Sequence, residues 1–97
     1  MKAYWIAHVD VTDPEQYSQY TRRAPAAFAL YGGRILARGG CSEALEGRPT
    51  PQRSVVIEFD SYERAVACYR SKEYQEAWAQ RQGAARAEVI IVEGVEP

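Results

Sequence analysis

Ala3-Tyr4-Trp5-Ile6-Ala7-His8-Val9-Asp10-Val11, followed at once by Thr12-Asp13-Pro14-Glu15, is the stretch whose reading decides the fold. Its opening residues alternate Tyr4, Ile6, His8 and Asp10 on one face with Trp5, Ala7, Val9 and Val11 on the other, the period of a strand. Both faces are mainly apolar, as in a central strand covered on both sides. A helix then begins. Asp13 is a good N-cap, Pro14 suits the first helical position, and Glu15 meets the positive end of the helix. Tyr17, Tyr20, Ala24, Phe28 and Tyr31 recur at helical spacing as one apolar stripe. Pro25 interrupts it and predicts a kink, or a break into two helices, near Ala24. Gly32-Gly33 supplies the stop.

Working outward, Arg34 to Gly39 reads as a second strand running into Gly39-Gly40, a pair that suggests a bulge or a closely approached backbone. Cys41 to Gln52 is an irregular arm with room for a short strand at Glu43 to Leu45, of a length that often serves partner contacts. Arg53 to Phe59 is β-branched and aromatic, the clearest strand of all. Asp60 or Ser61 caps a helix with Tyr62, Ala65, Val66 and Tyr69 on its apolar face. Ser71, with Glu73 behind it, caps a second piece whose stripe is Tyr74, Ala77, Trp78 and then Arg81. Gly83 ends it, and Glu88 to Val95 forms the last strand.

Two strand–helix–strand units with right-handed crossovers give a four-stranded antiparallel sheet in the order 4-1-3-2, helices on one face. The expected fold is therefore α+β, ferredoxin-like, βαββαβ, in a single domain over residues 1–97. The open sheet face carries Trp5, Ala7 and Val9, or else Tyr4 and Ile6, depending on register. Such an apolar face is seldom left wet, so the chain is expected to form a homodimer.

Composition bounds what the domain does. Apolar residues make up 46% and charged residues 26%, ordinary globular values. The formal charge of −1 gives no field to attract nucleic acid or an anionic membrane. Cys41 and Cys68 form no CxxC and have no neighbouring histidine, which argues against zinc. A disulfide between them stays open from sequence; reduced thiols in a cytoplasm are the reading that the absence of a secretory signal favours. No apolar run approaches the roughly 20 residues of a membrane helix. GxGxxG, GK[ST] and GxSxG motifs are all missing, so nucleotide binding and serine hydrolysis have no support.

Tyr4-Trp5, Val9 to Pro14, Ala24-Pro25, Gly32-Gly33-Arg34, Leu36-Ala37-Arg38-Gly39-Gly40, Leu45-Glu46-Gly47, Val55-Val56-Ile57-Glu58-Phe59, Ser71-x-Glu73-Tyr74 and Val92-Glu93-Gly94 together resemble the bacterial family known as domain of unknown function 1330. The resemblance covers nearly the whole chain. It implies membership of the dimeric α/β-barrel superfamily, in which two ferredoxin-like subunits join through their sheets. Relatives there include cofactor-free quinone-forming monooxygenases, muconolactone isomerases and haem enzymes such as chlorite dismutase. A shared fold brings no single reaction with it.

The candidate site residues each have two readings. His8, the only histidine, is a general base or a structural strand residue, and it lies outside the motifs of the resemblance. One histidine without a visible pocket gives little support to haem. Arg38 clamps a carboxylate or enolate oxygen, or pairs with Glu58 across strands or across the dimer. Glu58 is a buried carboxylate with a raised pKa, able to take a proton, or the structural partner of an arginine. Because both interrupt neighbouring strands, Arg38 and Glu58 are expected in one polar cluster. Arg81 sits beside Trp78 in a cation–π contact or anion-pocket wall, or packs with a snorkelling head. Tyr17, Tyr20, Tyr69 and Tyr74 point between helices and sheet, as core or as an aromatic-substrate pocket with Trp78.

The function expected on these grounds is a cofactor-independent enzyme of isomerase or monooxygenase type, working without metal, haem or nucleotide on a small aromatic or lactone-like acid. Glu58 or His8 would move the proton, Arg38 would orient the anion, and Tyr17, Tyr69, Tyr74, Trp78 and Arg81 would line the site. The alternative is a non-catalytic ligand-binding or regulatory dimer.

Overall fold

The computed structural model describes residues 1–96. The elements run β1 (Ala3–Val11), α1 (Pro14–Leu30), β2 (Arg34–Arg38), β3 (Arg53–Phe59), α2 (Tyr62–Arg70), α3 (Lys72–Gln80) and β4 (Ala85–Glu93). The strands form one antiparallel sheet in the order β2-β3-β1-β4, so the expected ferredoxin-like topology is the one found.

Side chains alternating along β1 separate the two faces. Ala3, Trp5, Ala7 and Val9 are buried beneath the helices; Tyr4, Ile6, His8 and Asp10 face the other way. From β3, Ile57 and Phe59 join the inner face, and from α1 come Tyr17, Ala24, Ala27 and Phe28. Trp5 is the hub. Its ring meets Phe28 at 5.1 Å and Tyr74 at 4.9 Å edge-on, Tyr69 at 5.6 Å and Phe59 at 6.2 Å. Aromatic pairs of this kind add about 0.5–1.5 kcal/mol each beyond the area they bury.

The helix boundaries follow their caps. The Asp13 side chain accepts from the Gln16 backbone N–H, and Ser61 accepts from that of Arg64. Ser71 closes α2 and opens α3, accepting from the Tyr74 N–H while its hydroxyl donates to the Cys68 carbonyl. At Pro25 the expectation of a break is corrected, since α1 runs through as one helix. Proline costs it one backbone bond, and burial of Ala24, Ala27 and Phe28 on either side holds the helix together.

Three further expectations need correction. Strand β4 begins at Ala85 rather than Glu88, because Ala85 and Ala87 pair with Val11 and Val9 despite alanine's poor strand propensity. It ends at Glu93, where the Gly94 N–H bonds the Lys2 carbonyl. Residues Glu43 to Leu45 form no strand; the arm there is irregular, with Leu45 83% exposed. The bulge suggested by Gly39-Gly40 lies earlier, between Ile35 and Ala37. Cys41 is exposed and Cys68 buried, and both thiols are free.

Gly33 is a point of close packing. A Cβ there would stand 2.9 Å from Phe59 Cζ and 3.1 Å from Ile57 Cγ2, both on fully buried side chains. Gly33→Ala is expected to destabilise by roughly 1–3 kcal/mol through overpacking. Gly40→Ala, where nothing lies within 4 Å, should change stability little. Urea unfolding followed by tryptophan fluorescence checks both, and equal midpoints for the two variants would contradict this packing.

Candidate functional site

The bulge in β2 decides which side chains meet. In an unbroken strand Arg38 would fall on the same face as Arg34, which pairs with Glu58. The bulge inserts one residue, so Ala37 faces Val56 and Arg38 faces Val55. Arg38 is thereby turned to the helix side, where it lines a cleft of about 340 Å³ between α1 and the sheet. Glu58 stays outside. The expected Arg38–Glu58 cluster does not exist.

Two layers form this inner cleft. Trp5, Phe28 and Ile57 make its floor, Tyr17, Tyr20 and Pro25 its helical wall, and Arg38 and Arg53 its polar rim. Arg53, opposite Val9, is half-buried, and its guanidinium lies 5.9 Å from the centre of the Tyr17 ring. The same group covers Gly39, whose positive φ of 70° ends the strand. Arg53 Nε is buried with no hydrogen-bond partner. Among the described residues neither Arg38 nor Arg53 has a carboxylate in salt-bridge reach, and no acid or histidine lines the cleft. An unpaired buried donor is costly, and more so on a charged group.

Behind the helical wall sits Arg81, 7% exposed. Its Nη2 donates to the Tyr74 hydroxyl at 3.3 Å, and its guanidinium carbon lies 5.1 Å from the centre of the Tyr20 ring. The expected stacking partner, Trp78, is not the ring it covers. The hydroxyls of Tyr20 and Tyr74 are 2.9 Å apart. Burial pushes the pKa of Tyr17 and Tyr20 upward, with the arginines pulling the other way, so both remain protonated at neutral pH.

Of the expected pocket residues, Arg38, Tyr17 and Tyr20 border the cleft. Tyr74 is fully buried in the core, and Tyr69 and Trp78 pack against it from the side. Both expected bases lie on the other sheet face. Glu58 accepts from the Tyr4 hydroxyl and from Arg34 Nε, each at 3.0 Å. These bonds hold its pKa below the ordinary value, the opposite of the raised pKa a proton acceptor was expected to have. His8 is exposed, with Nδ1 3.0 Å from Ser54 Oγ. Arg53 was missed by sequence reasoning, although its parity with Val55 and Ile57 places it on the inner face.

A larger cavity, about 850 Å³, lies on the outer face beneath the arm and is bordered by His8, Asp10, Arg48, Ser54, Arg86 and Glu88. Its charges are of both signs, and among the described residues Arg86, Glu43 and Glu46 make no salt bridge. Arg48 bonds Glu88, and Asp10 accepts from the Gln52 backbone at 2.9 Å. The inner cleft is smaller but holds cations without counter-charges, and for that reason it is the candidate site.

This architecture, a βαββαβ sheet with helices on one face, places the chain among ferredoxin-like α+β proteins. It belongs to the family described as domain of unknown function 1330, whose model matches residues 2–95. A protein of unknown function from Rhodopseudomonas palustris shares the fold at a TM-score of 0.77 and 22% identity, covering 99% of this chain and 84% of that one. SnoaB, a cofactor-independent oxygenase from Streptomyces nogalater, is similar at a TM-score of 0.65 and 11% identity, over 99% of this chain and 95% of its own. A dimeric protein of unknown function and ferredoxin-like fold from Bacteroides fragilis matches at 0.64 and 12%, over 96% of both chains. No curated protein matches the chain. Among the described residues no helix is long and apolar enough to cross a membrane, and no cluster of metal-ligating side chains occurs.

The outer network makes a pH prediction. Arg34 bonds Glu58 and Asp60, Lys2 bonds Asp60, and these contacts lower the pKa of both carboxyls. Groups depressed in the fold stabilise it above their unfolded pKa, about 4, and lose that contribution as pH falls through the folded value. Arg34→Gln should therefore be less stable than the parent at pH 7, with the gap closing below about pH 4. Denaturation at pH 7 and in acid measures this, and a gap that persists or widens in acid would refute it.

Proposed function

We propose that this chain is one subunit of a homodimer that binds a small organic anion with an apolar, aromatic body in the inner cleft. The observation that carries the reading is Arg53: a guanidinium with a buried, unpartnered Nε beside a second unpaired arginine, in a cleft floored by Trp5, Phe28 and Ile57. A carboxylate entering there would supply the counter-charge the chain lacks, and its ring would cover the aromatic floor.

Among the described residues no acid or histidine lines the cleft to take a proton, and this favours binding over proton abstraction by the protein. A second reading remains supported by the same cations. A substrate that already carries its charge as an enolate or phenolate would be stabilised by Arg38 and Arg53, as a cofactor-independent reaction of isomerase or monooxygenase type requires. SnoaB, with the same fold, is described as a cofactor-independent oxygenase.

Dimerisation rests on the outer face. Leu36, Ile90 and Val92 are 57%, 60% and 45% exposed there, next to Ile6 and Val56. A second copy would cover them, and the Bacteroides fragilis protein of like fold is described as dimeric. Sedimentation should show a species of twice 10.9 kDa at micromolar concentration; a monomer would contradict the assembly.

For the ligand, calorimetric titration with 4-isopropenylbenzoate should show binding, and the neutral amide of the same acid should not bind. Arg53→Met should weaken the acid about 10- to 100-fold, the loss of a charge-assisted hydrogen bond of about 1.5–3 kcal/mol. The ligand-free variant should be no less stable than the parent, since a buried unpaired donor is removed. Equal affinity of parent and variant, or none in the parent, would overturn the reading.

A further inference from the structure

One wall residue of the inner cleft, Tyr20, ends a relay of hydrogen bonds that begins behind the wall at Arg81. Arg81 can only donate, and its Nη2 donates to the Tyr74 oxygen. Tyr74 is fully buried, and the only acceptor its own proton has among the described side chains is the Tyr20 oxygen at 2.9 Å. Were the bond reversed, the Tyr74 proton would be left buried and unpaired, which the interior disfavours. The order is therefore Arg81 to Tyr74 to Tyr20. Each bond polarises the next, and the chain begins at a full positive charge.

Tyr20 then holds a proton with no acceptor in the described protein. It is half-buried, and its residue walls the cleft. One helical turn separates it from Tyr17, where Arg53 sits, a displacement of roughly 5 Å along α1. The cleft thus has cations at its rim and, one turn along α1, a wall residue whose hydroxyl is strengthened from behind.

We propose that the Tyr20 hydroxyl donates to a second oxygen of the ligand, so that the cleft selects organic acids that also carry a carbonyl or enol oxygen away from the carboxylate. Tyr74 and Arg81 act as positioning residues that fix the direction of the Tyr20 proton. The inference rests on the anion-binding reading above and narrows the class of ligand it admits. A Tyr20 donor is suited to an oxygen on which negative charge accumulates, as in an enolate, because a charged acceptor makes the stronger bond.

The test compares matched acids. 4-Acetylbenzoate and 3-acetylbenzoate each differ from their isopropenyl counterparts by an oxygen in place of a methylene, at nearly constant shape. In the parent protein, at least one acetyl acid should bind about 3- to 10-fold tighter than its hydrocarbon partner. Tyr20→Phe, which removes only the hydroxyl, should abolish that preference, so that within this variant each acetyl acid and its isopropenyl partner bind within twofold of one another. Tyr74→Phe should reduce the preference without abolishing binding, an effect that loss of packing alone would not produce.

Binding of the isopropenyl acids with no preference for either acetyl acid would overturn this inference and leave the anion site standing. So would a preference that survives in Tyr20→Phe. Failure of all four acids to bind would remove the anion site and this inference together. Circular dichroism of Tyr20→Phe and Tyr74→Phe confirms that each is folded before its titration is read.

Discussion

The alternation of side chains along β1, and its interruption in β2, governs both the core and the site. Because β1 is central, paired with β3 on one side and β4 on the other, its parity fixes the parity of the whole sheet. Trp5 inward makes Ile57, Phe59, Val89 and Ile91 inward as well, and the helices close over them. The bulge between Ile35 and Ala37 breaks that rule at one edge and sends Arg38 to the helix side. Without that extra residue the cleft would lose one of its two rim cations.

Most of the fold was legible in the chain because its signals are local. Asp13, Ser61 and Ser71 mark helix starts by a side-chain oxygen that bonds a backbone N–H within the next turn. The β1 and β3 boundaries follow from β-branched and aromatic runs. What failed depended on the partners an element finds. Ala85 and Ala87 carry no strand preference and are held by pairing with β1, while Pro25 is tolerated because residues around it are buried.

The site was less legible for a geometric reason. Glu58 and Arg38 look like neighbours when strands are read as regular, and a single inserted residue separates them by the thickness of the sheet. Gly39-Gly40 did hint at a bulge, but a glycine pair does not locate it. Arg53 needed no such knowledge, since parity with Ile57 and Phe59 puts it inside. A charge at the start of a strand simply reads as solvated until its surroundings are known. Arg81 was expected against Trp78 and lies on Tyr20, because which aromatic lies beneath it depends on how α1 packs against α3.

The two sheet faces divide the charges into different kinds. Outside, Arg34, Glu58, Asp60 and Lys2 satisfy one another, as do Arg48 and Glu88. On the helix side Arg53 lies on Tyr17 and Arg81 on Tyr20, and neither they nor Arg38 make a salt bridge among the described residues. That imbalance is what the proposed binding of a ligand on the inner face rests on. Amide chemical-shift mapping with 4-isopropenylbenzoate tests the assignment most directly. Shifts clustered at Val9, Tyr17, Arg38, Gly39 and Arg53, with His8, Glu58 and Glu88 unmoved, are the result this account predicts. Shifts centred on His8 and Glu88 beneath the arm would contradict it.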